Sequence, residues 1–474
     1  MEGFLRPKGD IVTLLDLSPR DSQDSEYTPL SAEKTWWLPD QSRRIRPFSI
    51  TLQQFPFRGP TAFGQRFTFD IGSVNCGDLL TGALLQIDLG HWLDDATLLR
   101  LQAGTYGYAP GQAIWAYANS LGTAIVQSAE FEVNEQTLEK LDGDFIFTST
   151  TLFGDLNKQY GIATDGLGLK PLSYTPPTTS PFPTQSGTLL VPLNFFFQRV
   201  PLAEAFPLLS CADGSVRIHI TLRPFSECVR LLSGTSPSPL NTTFSLLSFL
   251  DRVQEPVTVQ TQVAAPSFKG IKLITYGAHM DGKIRTALLR QPFELMTRTV
   301  QTFFFDEPLK YTINKTADLV QIQLPIEANG PMEELIWFVR RKDATAAREW
   351  TNFSAVTGAE FDPVYNPLTP LLQKAKLQCN GIDLVSQDER WFRQHSSMIH
   401  KGGIASYTHF IYGYSFAASP GEHQPSGTVN ASRLQTIRLT LDVIAAGAWE
   451  VKVFVLGIDW IRFQNGIANR MFST

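Results

Sequence analysis

Charged residues make up only 18% of this 474-residue chain, against about a quarter in ordinary soluble domains. The 40 Lys and Arg are outnumbered by 45 Asp and Glu, for a formal net charge of −5. Without an excess of cations there is no broad basic field to hold a phosphate backbone, so direct nucleic-acid binding is not expected. Cysteine is scarce as well, with Cys76, Cys211, Cys228 and Cys379 far apart. That spacing excludes a zinc site built on paired cysteines and a dense disulfide framework, and predicts free thiols, buried or half-buried, in a reducing compartment. No stretch reaches the ~18 consecutive apolar residues of a membrane-spanning helix. The segment Met1 to Asp10 has no apolar signal core, so cytosolic synthesis is expected.

Apolar residues, by contrast, account for 43% of the chain and include 33 phenylalanines. That is enough to bury a large core, and the length suits about three ordinary domains or two large all-β ones. The repeated pattern from Phe48 onward is alternation with a period of two, which puts successive side chains on opposite faces of a strand. Phe67, Phe69 and Ile71 alternate with Arg66, Thr68 and Asp70, and Val216, Ile218, Ile220 and Leu222 alternate with Arg217, His219, Thr221 and Arg223. Val320 to Leu324, Ile437 to Val443 and Val451 to Val455 repeat it. Helices are expected to be minor, confined to short segments such as Leu202 to Leu209 and Asp343 to Trp350.

Two copies of one unit are suggested by an offset of 246. Phe131, Val133, Asn134 and Leu138 match Leu377, Cys379, Asn380 and Leu384, each set reading as strand, tight turn, strand. A looser pair, displaced by 240, is Gly187-Thr188 leading into Leu189 to Phe197 and Gly427-Thr428 leading into Ile437 to Val443. Tandem β domains of this size, with long connections, fit jelly rolls better than small immunoglobulin-like sandwiches. Residues 1–45 read differently: an acidic, Ser-rich patch followed by Trp36-Trp37-Leu38-Pro39 predicts an arm, part of which docks on apolar surface.

Chemistry-bearing motifs are few. His395 and His400 lie five apart, not at the i, i+4 spacing of a helical metal site, and are expected to be surface or loop residues. Asp142 with Asp144, and Glu333 with Glu334, are acid pairs of a kind a glycosidase uses, but such pairs in turns are normally solvated. Neither Gly166-Leu167-Gly168 nor Gly402-Gly403 is followed by the Lys-Ser/Thr of a phosphate cradle. Four Asn-x-Ser/Thr sequons, at Asn241, Asn314, Asn352 and Asn430, matter only if the chain meets a glycosylating enzyme. No catalytic, cofactor-binding or metal-ligating residue is assigned.

Particular segments resemble a known family. They include Ile411-Tyr412-Gly413-Tyr414-Ser415-Phe416-Ala417, then Pro420, then His423-Gln424-Pro425-Ser426-Gly427-Thr428-Val429-Asn430-Ala431-Ser432-Arg433. In the same order come Trp115 to Asp144 with its Ala118-Asn119-Ser120-Leu121-Gly122 start, Leu190-Val191-Pro192-Leu193 through Phe197 and Arg199, Glu334-Leu335-Ile336-Trp337, Leu377 to Asp383, and the closing Asn465-Gly466-Ile467-Ala468. Over about residues 46–474 the chain resembles the major capsid proteins of the nucleocytoplasmic large DNA viruses. Phe48 to Leu89 match loosely, Leu231 to Gln262 hardly align, and the N-terminal arm departs from the family.

The resemblance implies an all-β fold of two tandem eight-stranded jelly rolls, with an arm at 1–45, a first roll at 46–282 and a second at 283–474. It implies a non-enzymatic subunit whose homotrimers form pseudo-hexagonal capsomers tiling an icosahedral shell. The implied partners are copies of itself, neighbouring capsomers, minor capsid and penton proteins, and an internal membrane beneath the shell. The implied location is the virion, after synthesis in the host cytoplasm. Its structural motif positions here are Pro192, Trp337, Asn380, Gly381, Pro425, Ser426, Gly427, Asn430, Ser432 and Arg433. A minor capsid or penton paralogue, and a carbohydrate-binding or carbohydrate-cleaving β-sandwich protein, are the alternatives.

Overall fold

A computed structural model of the chain describes residues 47–89, 114–118, 120–154, 188–200, 203–211, 214–233, 238–239, 268–306, 312–316, 319–346, 348–355, 369–400, 410–444 and 448–471. The arm at 1–45 with Trp36 and Trp37, both glycine-rich motifs and Asn241 lie outside these residues.

The alternating runs form strands with one face in the core. The first set is β1 (Phe48–Pro56), β2 (Arg66–Asp70), β3 (Leu79–Leu89), β4 (Ile114–Tyr117), β5 (Val126–Val133), β6 (Gln136–Leu141), β7 (Thr188–Pro192), β8 (Val216–Leu222), β9 (Val229–Ser233), β10 (Ser238–Pro239) and β11 (Phe268–Met280). Its antiparallel sheets have the orders β1-β11-β3-β7 and β2-β8-β5-β6, with a small third sheet β10-β9-β4. The second set is β12 (Phe293–Phe305), β13 (Thr312–Thr316), β14 (Leu319–Pro325), β15 (Pro331–Arg341), β16 (Leu372–Cys379), β17 (Ile382–Asp388), β18 (Ile411–Ser415), β19 (Val429–Asn430), β20 (Ile437–Ile444), β21 (Trp449–Gln464) and β22 (Ile467–Arg470). Its sheets run β12-β21-β15-β18, with β19 and β22 attached, and β13-β14-β20-β16-β17.

The two sets share one plan. Replacing β1, β11, β3, β7 by β12, β21, β15, β18, and β2, β8, β5, β6 by β14, β20, β16, β17, converts one pair of sheets into the other. Apart from the hairpins β5–β6 and β16–β17, the successive strands of this frame alternate between two sheets, which is the jelly-roll path, and it occurs twice in this chain. The extra strands in each set extend a four-plus-four frame. Among the described residues no strand pairing joins the first set to the second.

The duplicated unit is the hairpin the offset of 246 identified. Asn134 and Asn380 both have φ 52°, and their backbone N–H groups donate to Ser215 O and Thr436 O, each at 2.9 Å. A two-residue hairpin loop needs positive φ, which Asn tolerates and Gly accepts freely, hence Asn380-Gly381. The looser Gly-Thr match does not survive. Thr188–Pro192 lies in the sheet of β3, whereas Ile437–Ile444 lies in the opposite sheet of its own sandwich and corresponds to β8. A Gly-Thr pair before an apolar run carries no information about which sheet the run joins.

Helical content is also larger than expected. Beside the short α3 (Lys342–Ala346), which overlaps the first half of the anticipated 343–350 stretch, there are α1 (Gly143–Phe153), α2 (Gly282–Arg290) and α4 (Glu389–Ile399). Of the 202–209 stretch, the described part is a turn ending in a 3₁₀ segment, Leu208–Cys211. Helix α1 escaped because it is buried nearly all round and rich in Thr and Phe, so it shows no helical stripe. Its threonine and serine hydroxyls donate back to carbonyls three or four residues earlier, as Thr148 does to Asp144 O at 2.7 Å. Gly143 opens it because a Cβ there would lie 2.1 Å from Thr123 O. Both α1 and α4 follow the duplicated hairpin and are capped by an Asp: Asp142 accepts from Phe145 N at 2.7 Å and Asp388 from Trp391 N at 3.0 Å.

One apolar cluster spans both sandwiches. In the first, Phe131 is ringed by Phe195, Phe196, Phe197 and Phe206 at centroid distances of 5.0–5.9 Å, the edge-to-face spacing that bulky side chains between sheets adopt. All four cysteines are free and buried. Ile220 is fully buried on β8. Ile220→Asp is expected to abolish soluble folded protein, because an unpaired carboxylate would enter the sheet interior. Wild-type soluble yield from that variant would contradict the strand register.

Candidate functional site

Strand β15 breaks the alternation seen elsewhere: Met332 through Arg340 are all buried. Both of its faces are covered, one by the second sandwich's own core and the other by elements of the first. Four basic side chains meet carboxylates at that second interface. Arg298 of β12, 2% exposed, places Nη1 2.5 Å from Glu204 Oε1 and Nε 2.9 Å from Glu333 Oε2. Arg340 of β15 donates from Nη1 to Asp144 Oδ1 at 3.0 Å and to Trp350 O at 2.7 Å, and from Nε to Glu450 Oε1 at 2.6 Å. Lys452 of β21 donates to Asp142 Oδ2 at 2.6 Å and also to Asp144. Arg199 pairs with Glu139 and donates to Arg298 O.

The acid pairs therefore stand elsewhere than sequence reasoning put them. Asp144, Glu333 and Glu334 are buried, and Asp142 caps a helix while holding Lys452. Burial disfavours the charged form of Asp144, yet Arg340 and Lys452 outweigh it and hold its carboxyl far below the usual range. The same contacts, against burial, hold Lys452 protonated above its ordinary value. Burial wins at Glu333 and Glu139, whose carboxyls are pushed up in spite of Arg298 and Arg199. Sequence reasoning missed Glu204, Arg298, Arg340, Glu450 and Lys452. The available signal was charge inside otherwise apolar strand runs, as in Met332-Glu333-Glu334-Leu335 and Val339-Arg340.

Rings fill the space between the ions. Phe145 meets Phe454 at 5.2 Å, Phe206 meets Phe463 at 5.5 Å and Phe147 meets Phe353 at 6.1 Å. Trp350 donates from Nε1 to Glu227 O at 3.0 Å and lies under the Arg223 guanidinium at 4.0 Å. The seam is therefore a packed core whose charges are paired, although Arg199 Nε and Nη1 and Glu204 Oε2 are buried without a hydrogen-bond partner among the described residues.

The two histidines are not surface residues either. His400 is buried, with Nε2 2.9 Å from Glu334 and Nδ1 2.5 Å from Ser396 O. Burial opposes its protonation, but Glu334 and the Ser396 carbonyl raise its pKa above the ordinary value. His395 stacks on Trp391 at 4.5 Å, half-buried on α4, and burial lowers its pKa. Among the described residues there is no metal-binding cluster of His, Cys, Asp and Glu.

The motif positions fall into three groups. Pro192 ends β7, buried opposite Leu84. Trp337 is fully buried on β15, edge-on to Phe392 of α4 at 5.2 Å. The other eight form turns around the entries to β15 and β20. Asn380 Oδ1 accepts from Gln435 N at 2.8 Å and Thr436 N at 3.2 Å, so the β16–β17 turn with Gly381 clamps the entry of β20. Pro425 precedes Ser426, whose hydroxyl accepts from Ser419 N at 2.9 Å and donates to Ser419 O at 3.1 Å. Gly427, at φ 151°, leaves no room for a Cβ, which would meet Phe416 O at 2.7 Å. Asn430 accepts from Ser432 N at 3.1 Å and Ser432 Oγ from Gly330 N at 2.8 Å, tying the segment to the start of β15. Arg433 is exposed and has no ion pair among the described residues. Of the sequons, Asn352 is buried and bonded to Glu349, while Asn430 is exposed; Asn314 lies on β13, its side chain outside the described residues.

Three outcomes follow. Asp144→Ala leaves Arg340 with Glu450 alone and Lys452 with Asp142 alone, two buried cations each short of one carboxylate, and should cost about 3 kcal/mol in urea denaturation. Asn380→Ala removes two acceptor contacts and a residue suited to left-handed backbone, for a loss of about 1–3 kcal/mol by the same measurement. His400 has a folded pKa above its unfolded value, so its contribution is complete below ~6.5 and is lost as pH rises through the folded pKa. The stability gap between wild type and His400→Gln should accordingly shrink from pH 5 to pH 9.

Two family profiles together span most of the chain: large eukaryotic DNA virus major capsid protein over residues 285–458, and major capsid protein N-terminus over 37–260. The major capsid protein of Pyramimonas orientalis virus is 24% identical over 455 residues, covering 91% of this chain and 92% of the relative. That of Paramecium bursaria Chlorella virus 1 is 23% identical over 416 residues, covering 84% and 80%. In structure, the subunit of the PBCV-1 virus capsid matches with a TM-score of 0.66 at 18% identity, over 91% of this chain and 98% of that one. The Faustovirus major capsid protein matches with a TM-score of 0.62 at 12% identity, over 94% of each. With its two jelly rolls, its locked seam and these matches along both halves, the chain belongs to the major capsid protein family of large eukaryotic DNA viruses.

Proposed function

We propose that this chain is the principal shell subunit of a large DNA virus, forming homotrimers that act as pseudo-hexagonal capsomers in an icosahedral capsid. The observation that carries the reading is the pair of sandwiches with one strand plan, joined by the buried ions Asp144, Arg340, Lys452, Arg298 and Glu204. Three such chains supply six similar units, which pack hexagonally under three-fold symmetry. Ionic groups in a core add little net stability but penalise any other arrangement, which suits a brick whose shape has to be constant.

The first roll is read as 46–282 and the second as 283–474, with α2 as the connection; the separation of strand pairings supports this division. The ten motif positions serve the fold, chiefly by fixing turns at the entries to β15 and β20. The protein works by adhesion, without a catalytic role: the carboxylates that a glycosidase reading would use are bound to cations or to His400. Its place is the virion, after synthesis in the host cytoplasm. Minor capsid and penton proteins, and a membrane under the shell, are its further partners, and nucleic acid is not contacted.

Size measurement tests the reading. Purified protein is expected at about three times 52.8 kDa, resistant to dilution as large obligate interfaces are. A monomer at all concentrations, or placement only at five-fold vertices in particle images, would overturn it. Deleting residues 1–30 should leave trimers intact and impair shell closure, checked by particle yield.

A further inference from the structure

Helix α2 covers one end of the first sandwich, and the same place on the second sandwich is an open groove. The two places are fixed by one bond each: Ile71 N donates to Val216 O in the first sandwich and Ile326 N to Ile437 O in the second, both at 2.9 Å. In each, the connection beginning there runs beside a 3₁₀ segment, Leu208–Cys211 ahead of β8 or Ala431–Arg433 ahead of β20. In the first, α2 packs on Leu208–Cys211 with Ile284, Ala287 and Leu288 half-buried. Ser210 Oγ donates to Leu288 O at 2.9 Å, and Arg285 Nε lies 3.5 Å from Asp78 Oδ1 at the end of the connection. In the second, a groove of about 430 Å³ lies between residues 325–329 and 431–438, with Glu327, Ser432, Gln435, Thr436 and Arg438 on its walls. The Ser432 hydroxyl accepts from Gly330 N, and among the described residues it has no acceptor for its own hydrogen.

The segment that fills the first site is the one that leads into β12. Its counterpart leads into β1, because β1 and β12 hold the same place in the strand plan. The likeness extends to sequence: Arg46-Pro47-Phe48-Ser49-Ile50 stands 245 residues before Gln291-Pro292-Phe293-Glu294-Leu295. At that offset Ile284, Ala287 and Leu288 correspond to Pro39, Ser42 and Arg43. The site changes in the same direction, from the buried Leu208, Leu209 and Cys211 to the exposed Ser432, Gln435 and Thr436. Polar residues on the segment therefore accompany polar residues in the groove. Arg43 brings a cation for Glu327 and Asp40 a carboxylate for Arg438, so both charges on the groove's walls have an opposite.

We propose that residues 38–46 of one copy of this chain lie in the groove between 325–329 and 431–438 of a neighbouring copy, as α2 lies on Leu208–Cys211 within a chain. This rests on the trimer reading, in which six like sandwiches follow one another. Helix α2 crosses from β12 onto the first sandwich of its own chain. The same step taken from β1 leads away from the seam, onto the second sandwich of another copy. The end of the arm thereby does between chains what the connecting helix does inside one, and residues 1–37 remain for other contacts.

The full-length chain carries the test, since its native thiols are buried. In Gln435→Cys trimers a maleimide should label the introduced thiol about tenfold more slowly than in trimers of the same variant lacking residues 1–46. Ser42→Cys carrying a benzophenone maleimide should, on illumination, give a two-chain species in a denaturing gel, with cross-linked peptides from 325–330 and 431–438. Fast labelling of Gln435→Cys in the intact full-length trimer shows an empty groove and overturns the proposal while the trimer stands. Cross-links confined to single chains make the chain's own arm the occupant and overturn it too. So do cross-links only to other peptides, no cross-link at all, or protection that survives removal of residues 1–46. If the shortened chain forms no trimer, the cross-link alone decides. A wild-type chain that is monomeric at all concentrations defeats the parent reading instead.

Discussion

An ion removed from water loses several kcal/mol of solvation unless its partners are in place, and this chain puts Arg298, Arg340, Lys452, Asp144 and Glu204 in that position between its two sandwiches. The rest of the architecture is arranged around that constraint. Helix α1 is capped by Asp142 so that its first turn delivers Asp144 to Arg340. Strand β15 gives up its solvent face so that Glu333 and Arg340 can be enclosed. The phenylalanines between them exclude water, which strengthens the pairing and raises the penalty for sliding one sandwich past the other.

Duplication explains both the resemblance between the halves and their differences. The hairpin at Asn134 and the hairpin at Asn380 keep their left-handed turn and their clamp on the neighbouring strand, because those features belong to the sandwich itself. The helices that follow have diverged in the part that faces outward. Helix α1 is sealed in the seam and has become apolar with back-bonded hydroxyls; α4 keeps an amphipathic pattern with Arg390, Gln394 and Met398 toward solvent. The same position in the fold thus carries different side chains according to what covers it.

Much of the fold was legible because a sandwich with one wet face writes period-two alternation into its strands. Phe67 and Phe69, Val216 to Leu222 and Ile437 to Val443 were readable on that basis. Strand β15 and helix α1 were not, since an element covered on all sides loses its stripe, whichever its period. The acid pairs and histidines were misplaced for a related reason. Whether Asp144, Glu333 or His400 meets water depends on residues 35 to 308 positions away, namely Lys452, Arg298 and Glu334, and no local pattern records such a partner.

By itself the sequence determined the all-β class, the tandem arrangement, the Asn-Gly turn and the absence of a charge field for nucleic acid, because these follow from local periodicity, backbone preference and composition. Tertiary structure alone decided which strands share a sheet, which carboxylates are enclosed, and that β15 is covered on both faces. Those outcomes depend on which surfaces are brought together and stripped of water, a property of the folded chain that has no counterpart in the order of its residues.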